Sequence, residues 1–70
     1  MKINKFSIML RKLRLEKEIS QRNLGKEFNV SNQTVSSWET GTNEPDYDTL
    51  IKIAEYFNVT VGFLLGVEDL

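Results

Sequence analysis

The chain has 70 residues and contains neither cysteine nor histidine, and this absence constrains its fold more than any other feature. A domain this small buries only about 60% of the surface its unfolded chain exposes, so it depends on a compact core or on a staple. Disulfides and thiolate or imidazole metal sites are excluded, which leaves one apolar core spanning residues 1–70 as a single domain. The same absence removes Cys-His and Ser-His nucleophile pairs and the commonest general base near neutral pH. It argues against an enzyme and against any metal or other cofactor. No apolar run approaches the roughly 18 residues of a membrane span, and Asn4, Lys5 and Arg11 interrupt the apolar residues of the N-terminus, so no signal-peptide core forms there. A cytoplasmic domain is expected.

The net charge of −1 conceals a polarity. Residues 1–30 hold eight of the nine basic residues against three acids, and residues 31–70 hold Lys52 against seven acids. Such a split could orient the domain toward an anion, or it could be two ordinary solvated faces; charge alone does not decide.

Hydrophobic spacing predicts an all-α chain of five short helices. From Phe6 to Lys17, Phe6, Leu10 and Leu13 fall within a narrow arc at about 100° per residue, with Arg14 on its flank. Ser20 is expected to cap a second helix carrying Leu24 and Phe28, and Asn29 suits the left-handed turn that ends it. Ser31 is expected to cap a third, in which Val35 and Trp38 share one face, before Thr40 and Gly41 stop it. Residues 42–47 form a loop containing Pro45. Asp48 is expected to cap a fourth helix with Leu50, Ile53, Ala54 and Phe57, and Thr60 a last one over Val61 to Leu65, closed by Gly66. No period-2 alternation supports a strand.

The third helix carries the chemistry. On a helical wheel Ser37 and Ser36 flank Gln33 on either side, Asn32 lies beyond Ser36, and Val35 and Trp38 fall on the face opposite Gln33. A solvated helix face usually carries Glu, Lys or Arg, whereas this one is uncharged and rich in amides and hydroxyls, which are poorer helix formers. Those groups suit base edges: Asn and Gln pair bidentately with adenine, and Ser bonds to any base. An ordinary polar surface is the alternative at this point.

The string SQRNLGKEFNVSNQTVSSWETG resembles the helix-turn-helix of the phage-repressor and Cro (XRE-type) family of DNA-binding domains, usually written like SQxxLAxxxGVSxxTISxWExG. The similarity continues through Leu10, Leu13 and Arg14 before it and Pro45, Leu50, Ala54, Val59 and Leu64 after it. It implies a compact, lambda-repressor-like five-helix fold with the motif over residues 21–40. It further implies a nucleoid-associated transcriptional regulator, a repressor acting as a dimer on a palindromic double-stranded DNA operator. Asn32, Gln33, Ser36 and Ser37 take the base-reading positions, and Ser20, Gln21, Thr34, Thr42 and Asn43 take positions near phosphates, with backbone amides around Thr42 and Asn43 facing the same strand. Arg14 and Glu39 occupy positions that commonly pair, and Val61, Leu64 and Val67 lie in the segment expected at the dimer contact, unless they close the domain's own core. Gly25 stands where the family favours alanine, and Glu18 and Asn29 where it favours glycine; Glu18 implies a different helix ending. Glu44 and Asp46 replace common basic residues, which weakens attraction to phosphates. A protein-interaction module that keeps the fold without binding DNA is the rival. Ile8 and Leu15, usually polar in relatives, are expected to be exposed together between Arg11 and Lys12 as a second protein contact or as isolated surface residues.

Overall fold

A computed structural model describes residues 4–68. The five expected helices form: α1 (Lys5–Glu16), α2 (Gln21–Glu27), α3 (Asn32–Thr40), α4 (Tyr47–Tyr56) and α5 (Val61–Leu64). No strand occurs among the described residues. α3 packs against both α1 and α2, and α5 joins α1 to α4. Each helix is amphipathic, and together they enclose Phe6, Leu10, Leu24, Val35, Trp38, Ile53, Ala54 and Leu64. Leu10, Leu24, Val35, Ile53 and Leu64 are completely buried, so truncating any of the leucines or Ile53 to alanine should cost about 2–5 kcal/mol.

Three of the four connections are built on one local plan. After α1, α2 and α4 the chain passes through a left-handed residue, Glu18, Asn29 or Asn58 (φ 57, 58 and 57°). An apolar residue follows, and its N–H reaches back to a helix carbonyl: Ile19 to Arg14, Val30 to Gly25, Val59 to Ala54. Next comes a hydroxyl, Ser20, Ser31 or Thr60, whose oxygen accepts from the backbone N–H three residues on and so caps the next helix. Each apolar residue packs against the core. The turn therefore ends one helix, anchors itself and starts another. Glu18 does not change the helix ending as expected: it takes the same left-handed conformation as the asparagines, because the carbonyl bond and the burial of Ile19 outweigh the strain on its Cβ.

The cap of α4 differs from expectation. Asp46, not Asp48, is the N-cap, accepting from the Thr49 N–H at 2.8 Å, and these bonds hold its carboxyl below the ordinary value of 3.8. Asp48 lies in the first turn, where it still favours the helix dipole. Asn4 caps α1, exchanging hydrogen bonds with Ser7. Gly25 sits where α2 meets the following turn: a Cβ there would lie 2.7 Å from the Val30 carbonyl oxygen. The close approach is therefore made with backbone, and the glycine permits it.

Candidate nucleic-acid interface

α3 is fixed from its buried side. Val35 and Trp38 wedge it into the core, and Glu39 anchors its last turn to α1. Arg14 Nε donates to Glu39 Oε2 at 2.6 Å and Arg14 Nη2 to Glu39 Oε1 at 3.0 Å, a fork-on-carboxylate geometry shielded from water, with the two side chains 10% and 2% exposed. Arg14 Nη1 donates to the Ile19 carbonyl at 3.0 Å, so the pair also holds the turn between α1 and α2. A third bond reaches the same carboxylate: Gln21 Nε2 donates to Glu39 Oε1 at 3.1 Å. No side-chain nitrogen or oxygen buried among the described residues lacks a partner. The network thus ties the start of α2, the end of α3 and the body of α1 into one rigid unit.

The opposite side of α3 presents the amides and hydroxyls. Asn32 and Gln33 are exposed, and Thr34, Ser36 and Ser37 are half-buried. Asn32 and Gln33 make no side-chain hydrogen bond among the described residues, whereas Thr34 shares one with the Ser31 hydroxyl at 3.1 Å. The two exposed amides therefore keep their full donor and acceptor capacity.

At the margins, the residues named for phosphates divide. Ser20 is exposed, and its oxygen accepts from the Asn23 N–H, which leaves its hydroxyl proton free to point outward. Gln21 is half-buried; one amide proton is directed at Glu39 and the other remains, so the side chain is oriented rather than loose. Sequence reasoning missed that link, because positions 21 and 39 meet only in the folded motif. The loop departs from expectation. The N–H groups of Thr42 and Asn43 both donate to the Ser37 carbonyl, at 2.9 and 3.3 Å, since Gly41 turns the chain back through a left-handed conformation (φ 79°). They are engaged in ending α3 and are not free donors. What Thr42 and Asn43 offer is their exposed side chains, the Thr42 hydroxyl bonding that of Thr40 at 3.0 Å.

The terminal segment also departs from expectation. Leu64 is fully buried in the core, while Val61 is half-buried and Val67 is 76% exposed. A single-turn helix turns one side wholly inward, and Leu64 lies on it. Leu64 has no surface to offer a partner.

A short helix lodged under a steep turn against a second, outward-facing helix defines a helix-turn-helix domain. Residues 10–64 match the helix-turn-helix family, and the chain belongs to that family. It is 35% identical over 64 residues to YqaE, an uncharacterized HTH-type transcriptional regulator of Bacillus subtilis, covering 91% of this chain and 55% of the relative. It is 30% identical over 61 residues to RstR, the transcriptional repressor of the cryptic phage CTXphi in Vibrio cholerae, covering 87% of this chain and 55% of that protein. The structure superposes on the P22 c2 repressor protein, solved in complex with a synthetic operator, with a TM-score of 0.83 at 26% identity over 97% of this chain and 100% of that one. The lambda-repressor-like fold expected from the sequence is therefore correct. The expectation of a domain that is not an enzyme agrees with these relatives, which are transcriptional regulators. This chain spans about half the length of the curated relatives named here, and no helix among its described residues is long and apolar enough to cross a membrane.

Proposed function

We propose that the domain binds double-stranded DNA sequence-specifically and regulates transcription, as a repressor-type dimer on a palindromic operator. The observation that carries this is the outward face of α3, where two exposed, unengaged amides stand beside two serines on a helix locked to the core by Trp38 and the Arg14–Glu39 pair. Rigid support of this kind is what base readout needs, since the side chains must meet base edges in a fixed register. Asn32, Gln33, Ser36 and Ser37 read bases in the major groove. Ser20, Gln21, Thr34 and the side chains of Thr42 and Asn43 contact phosphates, Gln21 through the amide proton that Glu39 leaves free. Occupancy of the operator hinders polymerase. Dimer contact uses Val67 with the half-exposed Val61, because Leu64 is enclosed.

Glu44, Asp46 and Asp48 are all exposed just after the motif, so few phosphates are neutralised per subunit. Selecting binding sites from a pool of random duplexes should enrich an inverted repeat whose half-site centres lie about one helical turn, roughly 34 Å, apart. Titration of that duplex should show a shallow decrease of log K with log salt; a slope near about −10 would contradict the weak backbone contribution. The acidic half of the chain favours one second reading, a protein-binding module, and a pool with no enriched sequence would select it.

A further inference from the structure

Besides Leu65 and Val67 in the terminal segment, two helix surfaces carry exposed apolar side chains outside the residues proposed to touch DNA, and their charges are opposite. On α1, Ile8 and Leu15 are 59% and 51% exposed. Seven residues apart, they lie within about 20° of each other around the helix, with Arg11 and Lys12 on either side. These four, with Ser7, Glu16 and the Glu39 carboxylate that Arg14 already neutralises, border an open groove of about 540 Å³. On α4, Tyr47 and Ile51 are 84% and 48% exposed and stack at the i, i+4 spacing that makes helix neighbours. The exposed Asp48 and Glu55 share that side, with Lys52 at its far edge. The Arg14–Glu39 pair is the salt bridge formed among the described residues, and Arg11, Lys12, Asp48 and Glu55 have no part in it. A basic apolar groove and an acidic apolar ridge thus stand open on one chain.

We propose that the α4 ridge of one copy docks in the α1 groove of a second copy, Tyr47 and Ile51 against Ile8 and Leu15, with Asp48 and Glu55 directed at Arg11 and Lys12. The apolar pair supplies the desolvated centre and the charges set orientation and partner choice. Unlike a two-fold dimer, this contact joins different surfaces, so it adds copies in a line or closes them into a ring. None of its residues is a proposed base or phosphate contact. The pairing therefore stands or falls independently of DNA binding, and on DNA it would link neighbouring dimers.

The absence of natural cysteine makes the test direct. Ile8→Cys and Ile51→Cys are prepared separately, mixed in equal amounts and oxidised gently. The proposal expects the mixed disulfide to exceed about 80% of linked product, and its excess over the statistical half to shrink near 1 M salt, where the screening length falls to about 3 Å. A statistical distribution, or a majority of either like-with-like product, overturns it. Sedimentation provides an independent arm. The double variants Arg11→Glu/Lys12→Glu and Asp48→Lys/Glu55→Lys should each self-associate at least about tenfold more weakly than the parent. Their equimolar mixture, in which every groove finds a ridge of opposite charge, should recover association. A mixture no better than its components overturns the proposal. Circular dichroism checks folding, and a double variant that does not fold is replaced by Arg11→Glu or Glu55→Lys alone.

Discussion

Removing Glu39 should be among the most damaging polar substitutions in the chain, and the geometry says by how much. Its carboxylate accepts two hydrogen bonds from Arg14 and one from Gln21, and the Arg14 and Glu39 side chains are 10% and 2% exposed. Glu39→Ala leaves the guanidinium buried with the Ile19 carbonyl as its remaining partner. Breaking a buried pair from one side costs about 3–5 kcal/mol, because an unpaired charge stays behind. Against a total of about 5 kcal/mol for a domain without staples, that leaves little folded protein at 37 °C. In a domain of this size a loss of about 3 kcal/mol corresponds to a drop in Tm of about 12–24 °C. Replacing both partners with apolar residues of similar shape, Arg14→Met with Glu39→Leu, removes both charges together. It loses only the bonds to Ile19 and Gln21, about 1 kcal/mol each. The double variant should therefore be more stable than either of its own single variants, Arg14→Met or Glu39→Leu, with a coupling energy of at least about 2 kcal/mol. Urea unfolding followed by fluorescence of Trp38, which is 3% exposed, measures all of these. Single variants that each cost under about 1 kcal/mol and add without coupling would refute the account of the pair as a desolvated lock.

Other consequences follow from the turns and caps. Glu18→Gly relieves a left-handed residue with a side chain and should raise stability by about 0.5–1 kcal/mol in the same urea assay, after allowing for the looser unfolded chain. The Asp46 carboxyl titrates below its ordinary 3.8 because it is bonded to Thr49; its contribution is therefore complete above about pH 4 and lost as pH falls through the folded value. Asp46→Asn should flatten that acid limb of a thermal-melt series, Asp46→Ala should lower the Tm at neutral pH, and Asp48→Ala should change it less. Leu64→Glu should prevent folding, since the side chain is enclosed, whereas Val67→Glu should remain folded by circular dichroism and weaken dimer formation in sedimentation.

Helix content and the outward face of α3 are legible in the sequence because both depend on periodicity. Val35 and Trp38 have to face inward, so Gln33 has to face out. The sequence misleads where periodicity is silent. Leu50, Ile53 and Ala54 keep their inward pattern whichever carboxylate caps α4, so only the bond to Thr49 distinguishes Asp46 from Asp48. In a four-residue helix such as α5, spacing cannot tell which side meets the domain's own core, and the family resemblance points Leu64 toward a partner that the buried side chain cannot reach. Family resemblance turns the N–H groups of Thr42 and Asn43 toward phosphate, yet the fold of the loop returns them to Ser37. Tyr56 carries no signal in the sequence pattern; it stacks edge-on with Phe28 at 5.6 Å and Phe57 at 5.0 Å, joining the ends of α2 and α4 through contacts visible only in three dimensions.

The central claim is that α3 reads bases while Gln21 only holds the backbone, and one comparison tests it. Affinities of the parent, Gln33→Ala and Gln21→Ala are measured on the selected operator and on a scrambled duplex at one salt concentration. Gln33→Ala should lose about 1–3 kcal/mol on the operator and almost nothing on the scrambled duplex, relaxing preference at one base pair per half-site. Gln21→Ala should weaken both duplexes alike. Equal losses on the two duplexes for Gln33→Ala would contradict the assignment of α3 as the reading helix.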